Sequence, residues 1–313
     1  MIKLLNLFVD VNVYLILFFW QKIDKRRFFI LADRYGRIGN QLYMSSFVIK
    51  WAKQYDALVI LAGLHPYDMF FEKTNHDFFL CYPPKVSFLY KLYSLKEYWT
   101  KSIDRISLRI ENSLNGILGF GSLDLSRNYL DTDGIVFNKL LFKRNIIFIR
   151  GFVLNKTFAD LKMVHSEITN LFRPRDHYLN AINKPLKYLS IAKIKVGVVI
   201  RHGDYKTWKD GKYFYPLKIY TQWMHEVCKL FGIEKVGFFI ASDEDQPLEN
   251  FKDFFFFFRY GHPVENLYSL SQCDYIITTE SSFAGWACFF GKVPHFFVSR
   301  EVRALKHEDF FNI

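Results

Sequence analysis

Short apolar runs alternate along the chain with segments in which apolar residues recur at helical spacing. The apolar runs are typical of strands buried on both faces and are Phe28–Ala32, Ala57–Leu61, Asn145–Phe152, Lys195–Ile200, Val236–Ala241, Tyr275–Thr279 and Val293–Val298. Helical spacing is found in Gln41–Tyr55, Thr157–Phe172, Ile219–Leu230, Val264–Ser271 and Phe283–Phe290. This alternation predicts an α/β fold built on parallel sheet with helices on both faces.

The chain is long enough for two such domains, since it has 313 residues. A proline- and lysine-containing stretch from Pro174 to Pro185 predicts the hinge between them. We therefore expect an N-terminal domain over residues 28–180 and a C-terminal domain over 181–313. The stretch from His65 to Asn145 is less regular and yields no clear elements.

Residues 1–27 form an apolar and then basic segment. Leu4–Trp20 is short for a membrane-spanning helix, and Asp10 inside it would cost roughly 2.5–3.5 kcal/mol at the centre of a bilayer. One interpretation is a helix lying in the interface of a membrane, on the cytoplasmic side because basic residues follow it. The alternative is a helix packed on the protein itself. The basic residues are Lys22, Lys25, Arg26 and Arg27.

Composition narrows the possible partners. The formal charge is 42 − 31 = +11, which suits anionic lipid or an anionic small substrate. The basic residues are scattered, so nucleic-acid binding is not expected. Of 35 Phe residues, five form the run Phe254–Phe258, which predicts a buried strand. The four cysteines form no C-x-x-C pair, so no zinc site is expected; they are Cys81, Cys228, Cys273 and Cys288.

Polar motifs follow several predicted strands, where ligands of parallel sheets bind. Arg201 follows one strand, and its planar guanidinium suits phosphate oxygens. Gly203 permits close backbone approach, and Asp204 is suited either to orienting the arginine or to accepting a sugar hydroxyl. A structural Arg–Asp turn explains the same residues equally well.

A second motif, Thr278–Trp286, joins a strand end to a helix start. Ser281 and Ser282 are suited to capping that helix, and its N-terminus is also an anion site. Ser242 and Asp243 follow another strand, within an acidic Asp243-Glu244-Asp245 run. We interpret that run as helix-start chemistry rather than a metal site.

A third motif, Gly36–Gln41, is a glycine loop before the first long helix. It is not a dinucleotide fingerprint, since the third glycine is absent and no acidic residue is suitably placed.

Together these motifs resemble the α-1,2-fucosyltransferases, glycosyltransferase family eleven. The matching segments follow the order of the family's own motifs and are Gly39-Asn40-Gln41-Leu42, Gly151-Phe152, Leu171–Pro174, Val199–Tyr205, Ser242-Asp243 and Glu280–Trp286. The resemblance runs from Asp33 to Val298, with an unmatched region from about Leu64 to Lys143. The family's signature histidine is Val199 here, and its second arginine is His202.

The resemblance implies a GT-B-like architecture of two facing Rossmann-like domains. It also implies inverting transfer of L-fucose from GDP-fucose to a galactose-containing glycan, without metal or other cofactor. The N-terminal domain would serve the acceptor and the C-terminal domain the sugar nucleotide. Arg201 would hold the diphosphate, with Asp204 and His202 beside it. The nucleotide pocket would draw on Gly39, Asn40, Gln41, Arg201, Gly203, Ser242, Asp243, Ser281, Ser282 and Phe283.

Several alternatives remain open from the residues alone. His202, Asp204, His65 and Asp68 are candidate general bases for the acceptor hydroxyl. The two departures from the signature also fit a non-catalytic nucleotide- or glycan-binding protein on a degenerate transferase scaffold. They fit equally a transferase that uses another sugar nucleotide.

Overall fold

The computed structural model describes residues 2–74, 96–110, 120–125, 144–153 and 156–312, with only the backbone of residues 2–8 and 96. The chain forms two compact units, Met1–Arg173 and Pro174–Ile313. Each contains one sheet in which every strand pairing is parallel. The predicted α/β class is confirmed.

The first unit carries a four-stranded sheet in the order β2-β1-β4-β3. Its strands are β1 (Arg27–Leu31), β2 (Ala57–Ile60), β3 (Phe120–Asp124) and β4 (Ile146–Arg150). Its helices are α1 (Ile2–Asp24), α2 (Ile38–Tyr55), α3 (Lys96–Arg109) and α4 (His165–Leu171). The strands are almost wholly buried because helices cover them, as the continuous apolar runs indicated.

The second unit carries a five-stranded sheet in the order β7-β6-β5-β8-β9. Its strands are β5 (Ile194–Ile200), β6 (Val236–Ser242), β7 (Phe256–Tyr260), β8 (Tyr275–Thr278) and β9 (His295–Phe297). Its helices are α5 (Asp176–Tyr188), α6 (Leu217–Phe231), α7 (Pro263–Leu270) and α8 (Ser282–Gly291). Most of these elements fall within two residues of their predicted bounds.

The segment expected to form a hinge is the helix α5. Pro185 lies inside it, and the carbonyl of Ala181, four residues earlier, accepts from Arg259 Nη1 at 2.8 Å instead. The predicted boundary between residues 180 and 181 falls within this helix, whereas the two compact units separate between Arg173 and Pro174.

Two other predicted elements differ in the structure. Thr157–Phe172, predicted as one helix, is a 3₁₀ helix over Phe158–Val164 followed by α4, and at its start Asp160 Oδ2 accepts from the amide of Thr157 at 2.7 Å. The phenylalanine run gives β7, which lies at the edge of its sheet and is half-buried rather than buried. Its side chains pack at the margins of the two core clusters of this unit, Phe256 and Phe258 on one and Phe257 on the other, and are therefore only partly buried.

Helix α1 belongs to the core of the first unit. Val13 and Leu17 are buried in one apolar cluster with Ile103 of α3 and Phe120 of β3. Residues 1–27 were expected to lie either on a membrane or on the protein itself. The face of α1 that carries Val13 and Leu17 packs on the protein. Among the described residues, no helix is long and apolar enough to cross a membrane.

Three cysteines are buried free thiols, namely Cys228, Cys273 and Cys288. Burial raises the pKa of Cys228 to about 11, so its thiol stays protonated and unreactive at neutral pH. Cys81 lies outside the described residues.

Candidate functional site

The candidate site of the second unit begins where β5 ends. Arg201 is the first residue after this strand, and its side chain is mostly buried. Its Nη2 atom donates to Asp204 Oδ1 at 2.7 Å, and its Nε lies 3.5 Å from Asp243 Oδ2. Among the described residues Nη1 has no partner. Two carboxylates therefore lie against the guanidinium, whose buried Nε makes no hydrogen bond among the described residues.

Asp243 holds the backbone of the same loop. Its Oδ1 atom accepts from the amide of His202 at 2.8 Å and from that of Gly203 at 3.3 Å. A Cβ atom on residue 203 would lie 3.1 Å from Asp243 Oδ2, so glycine here makes room for that carboxylate. Because Asp243 follows β6 and the loop follows β5, the acid links the ends of two neighbouring strands.

The neighbours of Asp243 in sequence are used locally. Ser242 Oγ accepts from the amide of Glu244 and from the side chain of Gln246, and Glu244 pairs with Lys206 at 2.7 Å. The next regular element is a 3₁₀ helix over Leu248–Phe251, not the α-helix that the acidic run was expected to start. In the described part of the chain, no group of three or more acidic, histidine or cysteine side chains could hold a metal ion.

His202 faces the interior of the second unit. Its ring is buried, stands 4.8 Å from the ring of Phe214, and bonds through Nε2 to the carbonyl of Tyr215 at 2.8 Å. The structure thus brings the backbone of His202 to the Arg201 loop while directing its imidazole elsewhere. His202 occupies the sequence position of the family's second signature arginine, but its side chain does not point toward Arg201.

Tyr205 connects the Arg201 loop to the segment that follows β8. Its ring lies 4.9 Å from the Arg201 guanidinium, and its hydroxyl donates to the carbonyl of Glu280 at 2.9 Å. Burial raises the pKa of Tyr205 to about 12, so the hydroxyl remains a donor across the neutral range. Sequence reasoning did not assign Tyr205 a role, although its position four residues after Arg201 was part of the motif.

Helix α8 begins at this same edge of the sheet. Ser281 is its N-cap, and the Oγ atom accepts from the amide of Ala284 at 3.1 Å. Ser282 and Phe283 are the first two helical residues and are partly exposed. The amides of a first helical turn have no partner within the helix, and the positive end of the dipole lies there. Capping and anion binding are therefore compatible at α8.

The loop that follows Arg201 carries three lysines, of which Lys206 is already paired with Glu244. Lys206, Lys209 and Lys212 are all at least partly exposed. Lys209 Nζ lies 4.9 Å from the ring of Trp208, which stacks on Tyr205 at 5.4 Å. The carboxyl edge of the β5 sheet thus combines one oriented guanidinium, one helix N-terminus and a basic loop, which together fit a diphosphate.

The first unit has its own set of polar groups at a sheet edge. Asp33 follows β1, and its Oδ2 atom accepts from the amide of Gly151, which follows β4, at 3.1 Å. Its Oδ1 atom is buried and has no partner among the described residues. Burial is the largest effect on this carboxyl and raises the pKa of Asp33 above its ordinary value. Sequence reasoning missed Asp33, which no motif singled out.

His65 and Asp68 follow β2 at the same edge of this sheet. His65 Nδ1 lies 3.1 Å from Asp68 Oδ1, and both residues are buried. The 3₁₀ turn Ala62–Leu64 packs against β1 so closely that a Cβ atom on Gly63 would lie 1.9 Å from the carbonyl oxygen of Asp33. The pair is therefore adjacent to the Asp33 backbone.

The glycine loop of the first unit is held by the start of α2. Gly36 has a positive φ of 67°, and a Cβ there would lie 2.2 Å from Asn40 Nδ2, so only glycine fits. Gln41 donates to the carbonyl of Gly36 at 3.2 Å, and its buried Oε1 has no partner in the described residues. Gly39 is buried within α2. These residues lie in the first unit, whereas the other predicted nucleotide-pocket residues lie in the second.

No protein-family model matches the chain, and no curated protein matches it in sequence.

Solved structures resemble it in fold. An Arg-to-Lys mutant of Arabidopsis thaliana FUT1 in complex with GDP has 14% sequence identity and a TM-score of 0.59, over 92% of this chain and 74% of that one. NodZ α-1,6-fucosyltransferase soaked with GDP-fucose has 16% identity and a TM-score of 0.54, over 92% of this chain and 99% of that one. NodZ from Bradyrhizobium has 17% identity and a TM-score of 0.53, over 86% and 94%. The chain therefore has the α/β, GT-B-type fold of these fucosyltransferase structures.

Proposed function

We propose that this chain is an inverting glycosyltransferase that transfers L-fucose from GDP-fucose to a galactoside hydroxyl, in α-1,2 linkage and without a metal ion. The observation that carries the proposal is Arg201 at the end of β5. Asp204 and Asp243 orient its guanidinium while Nη1 has no partner among the described residues. An arginine fixed in this way is prepared for the phosphate oxygens of a sugar nucleotide.

The chemistry requires stabilisation of the departing diphosphate. Negative charge grows on the oxygen that leaves the sugar, and preorganised donors stabilise it more in the transition state than in the ground state. Arg201 supplies a fixed positive charge, and the first turn of α8 supplies amide donors and a dipole. These groups could serve in place of a metal ion at the leaving group.

The choice of donor is supported by two independent observations. The solved structures with this fold include one in complex with GDP and one soaked with GDP-fucose. The sequence from Val199 to Tyr205 resembles the signature of the α-1,2-fucosyltransferases. The linkage is proposed on the second observation alone, since the NodZ structure is described as an α-1,6-fucosyltransferase.

Of the candidate general bases, the His65–Asp68 pair has the arrangement of a histidine oriented by a carboxylate. Of the other candidates, His202 is bonded to the carbonyl of Tyr215 and Asp204 to Arg201. In the pair, a buried carboxylate lies within hydrogen-bond distance of an imidazole nitrogen, the arrangement by which a carboxylate orients a basic histidine. If His65 acts in this way, His65→Gln lowers turnover and leaves donor binding unchanged.

The proposal is tested by measuring GDP release from GDP-fucose with and without a β-galactoside acceptor. Acceptor-dependent release, with a product whose linkage is α-1,2, is the expected result. Binding of GDP-fucose without release would favour the non-catalytic nucleotide- or glycan-binding protein. Release from a different GDP- or UDP-sugar would keep the transferase and replace the donor. Activity abolished by EDTA and restored by Mn²⁺ would contradict the metal-independent mechanism.

A further inference from the structure

One face of helix α1 exposes a row of large apolar side chains. Ile23 is 80% exposed and Phe19 59%, and the others are between 42% and 50% exposed. Their spacing places them on one side of the helix. The row consists of Val11, Leu15, Ile16, Phe19 and Ile23, and is called the apolar row below.

The orientation of this row is fixed from the opposite side of the helix. Asp10 is 2% exposed and accepts hydrogen bonds from Ser102 at 2.5 Å, Arg105 at 2.6 Å and Arg109 at 2.8 Å, all on α3. Val13 and Leu17 lie on the same buried side, in the core of the first unit. Rotating α1 to hide the apolar row would expose these residues and break the ion pairs, so the row stays at the surface.

Basic residues flank the row at the C-terminal end of the helix. Lys22 and Lys25 are exposed, and Lys22 Nζ lies 5.3 Å from the Phe18 ring. Arg26 and Arg27 follow, in a chain of formal charge +11. An amphipathic helix with large apolar side chains on one face and basic residues beside it is suited to the interface of a bilayer containing anionic lipid.

We propose that the apolar row and its basic flank dock this protein on the surface of an anionic membrane, with α1 lying parallel to the bilayer plane. The apolar side chains enter the boundary between headgroups and acyl chains, and Lys22 and Lys25 contact lipid phosphates. Asp10 is compatible with this arrangement because its charge is neutralised on the protein side of the helix.

The proposal is tested by co-sedimentation with vesicles of phosphatidylcholine alone or of phosphatidylcholine with phosphatidylserine. Ile23→Glu is compared with Ile191→Glu, since Ile191 is 82% exposed and lies in the second unit. Loss of an inserted isoleucine and gain of a negative charge should weaken binding to the anionic vesicles at least about 10-fold, with no change for Ile191→Glu. Lys22→Gln should weaken it about 5-fold, and only when phosphatidylserine is present.

Three results would overturn the proposal. The first is wild-type protein that does not sediment with the anionic vesicles. The second is an equal loss of binding in the two isoleucine variants. The third is a concentration-dependent dimer that Ile23→Glu dissociates without any vesicle binding, which would assign the apolar row to a second copy of the chain. The readout is lipid binding of the full chain, so it is independent of whether the protein transfers fucose.

Discussion

At the carboxyl edge of the β5 sheet, two carboxylates lie within 3.5 Å of the guanidinium that faces the site, whereas at the edge of the β1 sheet the cation that pairs with Asp33, Arg150, lies 3.9 Å away. Arg201 is oriented by Asp204 and Asp243, but Asp33 keeps a buried oxygen without a partner among the described residues. Preorganised groups stabilise a charge that develops during reaction. Buried polar groups left unpaired cost stability unless a ligand uses them. Each edge keeps a buried polar atom without a hydrogen-bond partner among the described residues, Arg201 Nε at the first and Asp33 Oδ1 at the second, but the ion at the first edge is the more closely paired.

Arg201→Lys is the strongest test of the preorganised edge. Lysine keeps the positive charge but lacks the planar fork that reaches Asp204, Asp243 and a phosphate together. We expect turnover with GDP-fucose to fall by a factor of about 10²–10³, and donor affinity to fall less, because the contact strengthens as the diphosphate departs. Steady-state kinetics and GDP titration measure the two quantities.

The matched control is Arg303→Lys. Arg303 is 56% exposed and pairs with Asp309 at 2.6 Å in the same unit, so its replacement should leave turnover unchanged. Full turnover in Arg201→Lys would show that the diphosphate is held elsewhere and that the loop is structural.

Asp10→Ala removes a buried carboxylate of the first unit that accepts hydrogen bonds from three side chains of α3. Its removal leaves Arg105 and Arg109 without their shared partner, but both are partly exposed, which reduces the cost. We expect the free energy of unfolding to fall by about 1–3 kcal/mol. Asp24→Ala, which breaks a partly exposed pair between the last residue of α1 and Arg26 beyond it, should lower it by less than about 1 kcal/mol. Urea unfolding followed by circular dichroism measures both.

The pH dependence of the Asp10 contribution has a definite sign. Burial alone would raise the pKa of Asp10, but hydrogen bonds from Arg105 and Ser102 and the charges of the two arginines outweigh it, so the pKa lies below its ordinary value. The stabilisation is therefore present above about pH 4 and lost as the pH falls through the lowered pKa. A difference between wild type and Asp10→Ala that instead grew on acidification would contradict this assignment.

Asp243→Asn and Asp204→Asn separate the two carboxylates that hold Arg201. Asparagine at 243 retains an acceptor for the amides of His202 and Gly203 but loses the charge opposite Arg201 Nε. Because Asp243 is the more buried of the two, we expect turnover to fall about 10-fold for Asp243→Asn and about 3-fold for Asp204→Asn. The reverse order would mean that Asp204 contacts the sugar or ribose directly.

The sequence predicted the strands and the Arg201 loop because apolar runs and a glycine after a strand are local signals. It did not predict the hydrogen bonds from the loop amides to Asp243. Asp243 and the loop are far apart in sequence and come together only because β5 and β6 pair. His202 was assigned to the diphosphate by position, but packing against Phe214 and Tyr220 directs its ring inward. Helix α5 was missed because a proline usually ends a helix. Asp33 was missed because an unpartnered oxygen is a property of packing.

The smallest expected effect is that of Asp33→Asn on stability, and it follows from the unpartnered oxygen. Asparagine keeps an acceptor for the amide of Gly151 and removes a mostly buried carboxylate charge, for which the cost of burial outweighs the 3.9 Å pair with Arg150. At pH 7 we therefore expect the free energy of unfolding to be unchanged or to rise by less than about 1 kcal/mol. Since burial raises the pKa of Asp33, the cost of its charge appears as the pH rises through that pKa and is absent below the unfolded value. The two unfolding curves should therefore converge near pH 4 and separate at neutral pH. Glu97→Gln is the control, because Glu97 is 57% exposed and pairs with Lys101 at 2.8 Å; it should lower stability slightly at neutral pH. If Asp33→Asn were the more destabilising of the two variants, Asp33 Oδ1 would already make a stabilising interaction within the protein. The edge of the β1 sheet would then offer no unpartnered oxygen to a ligand.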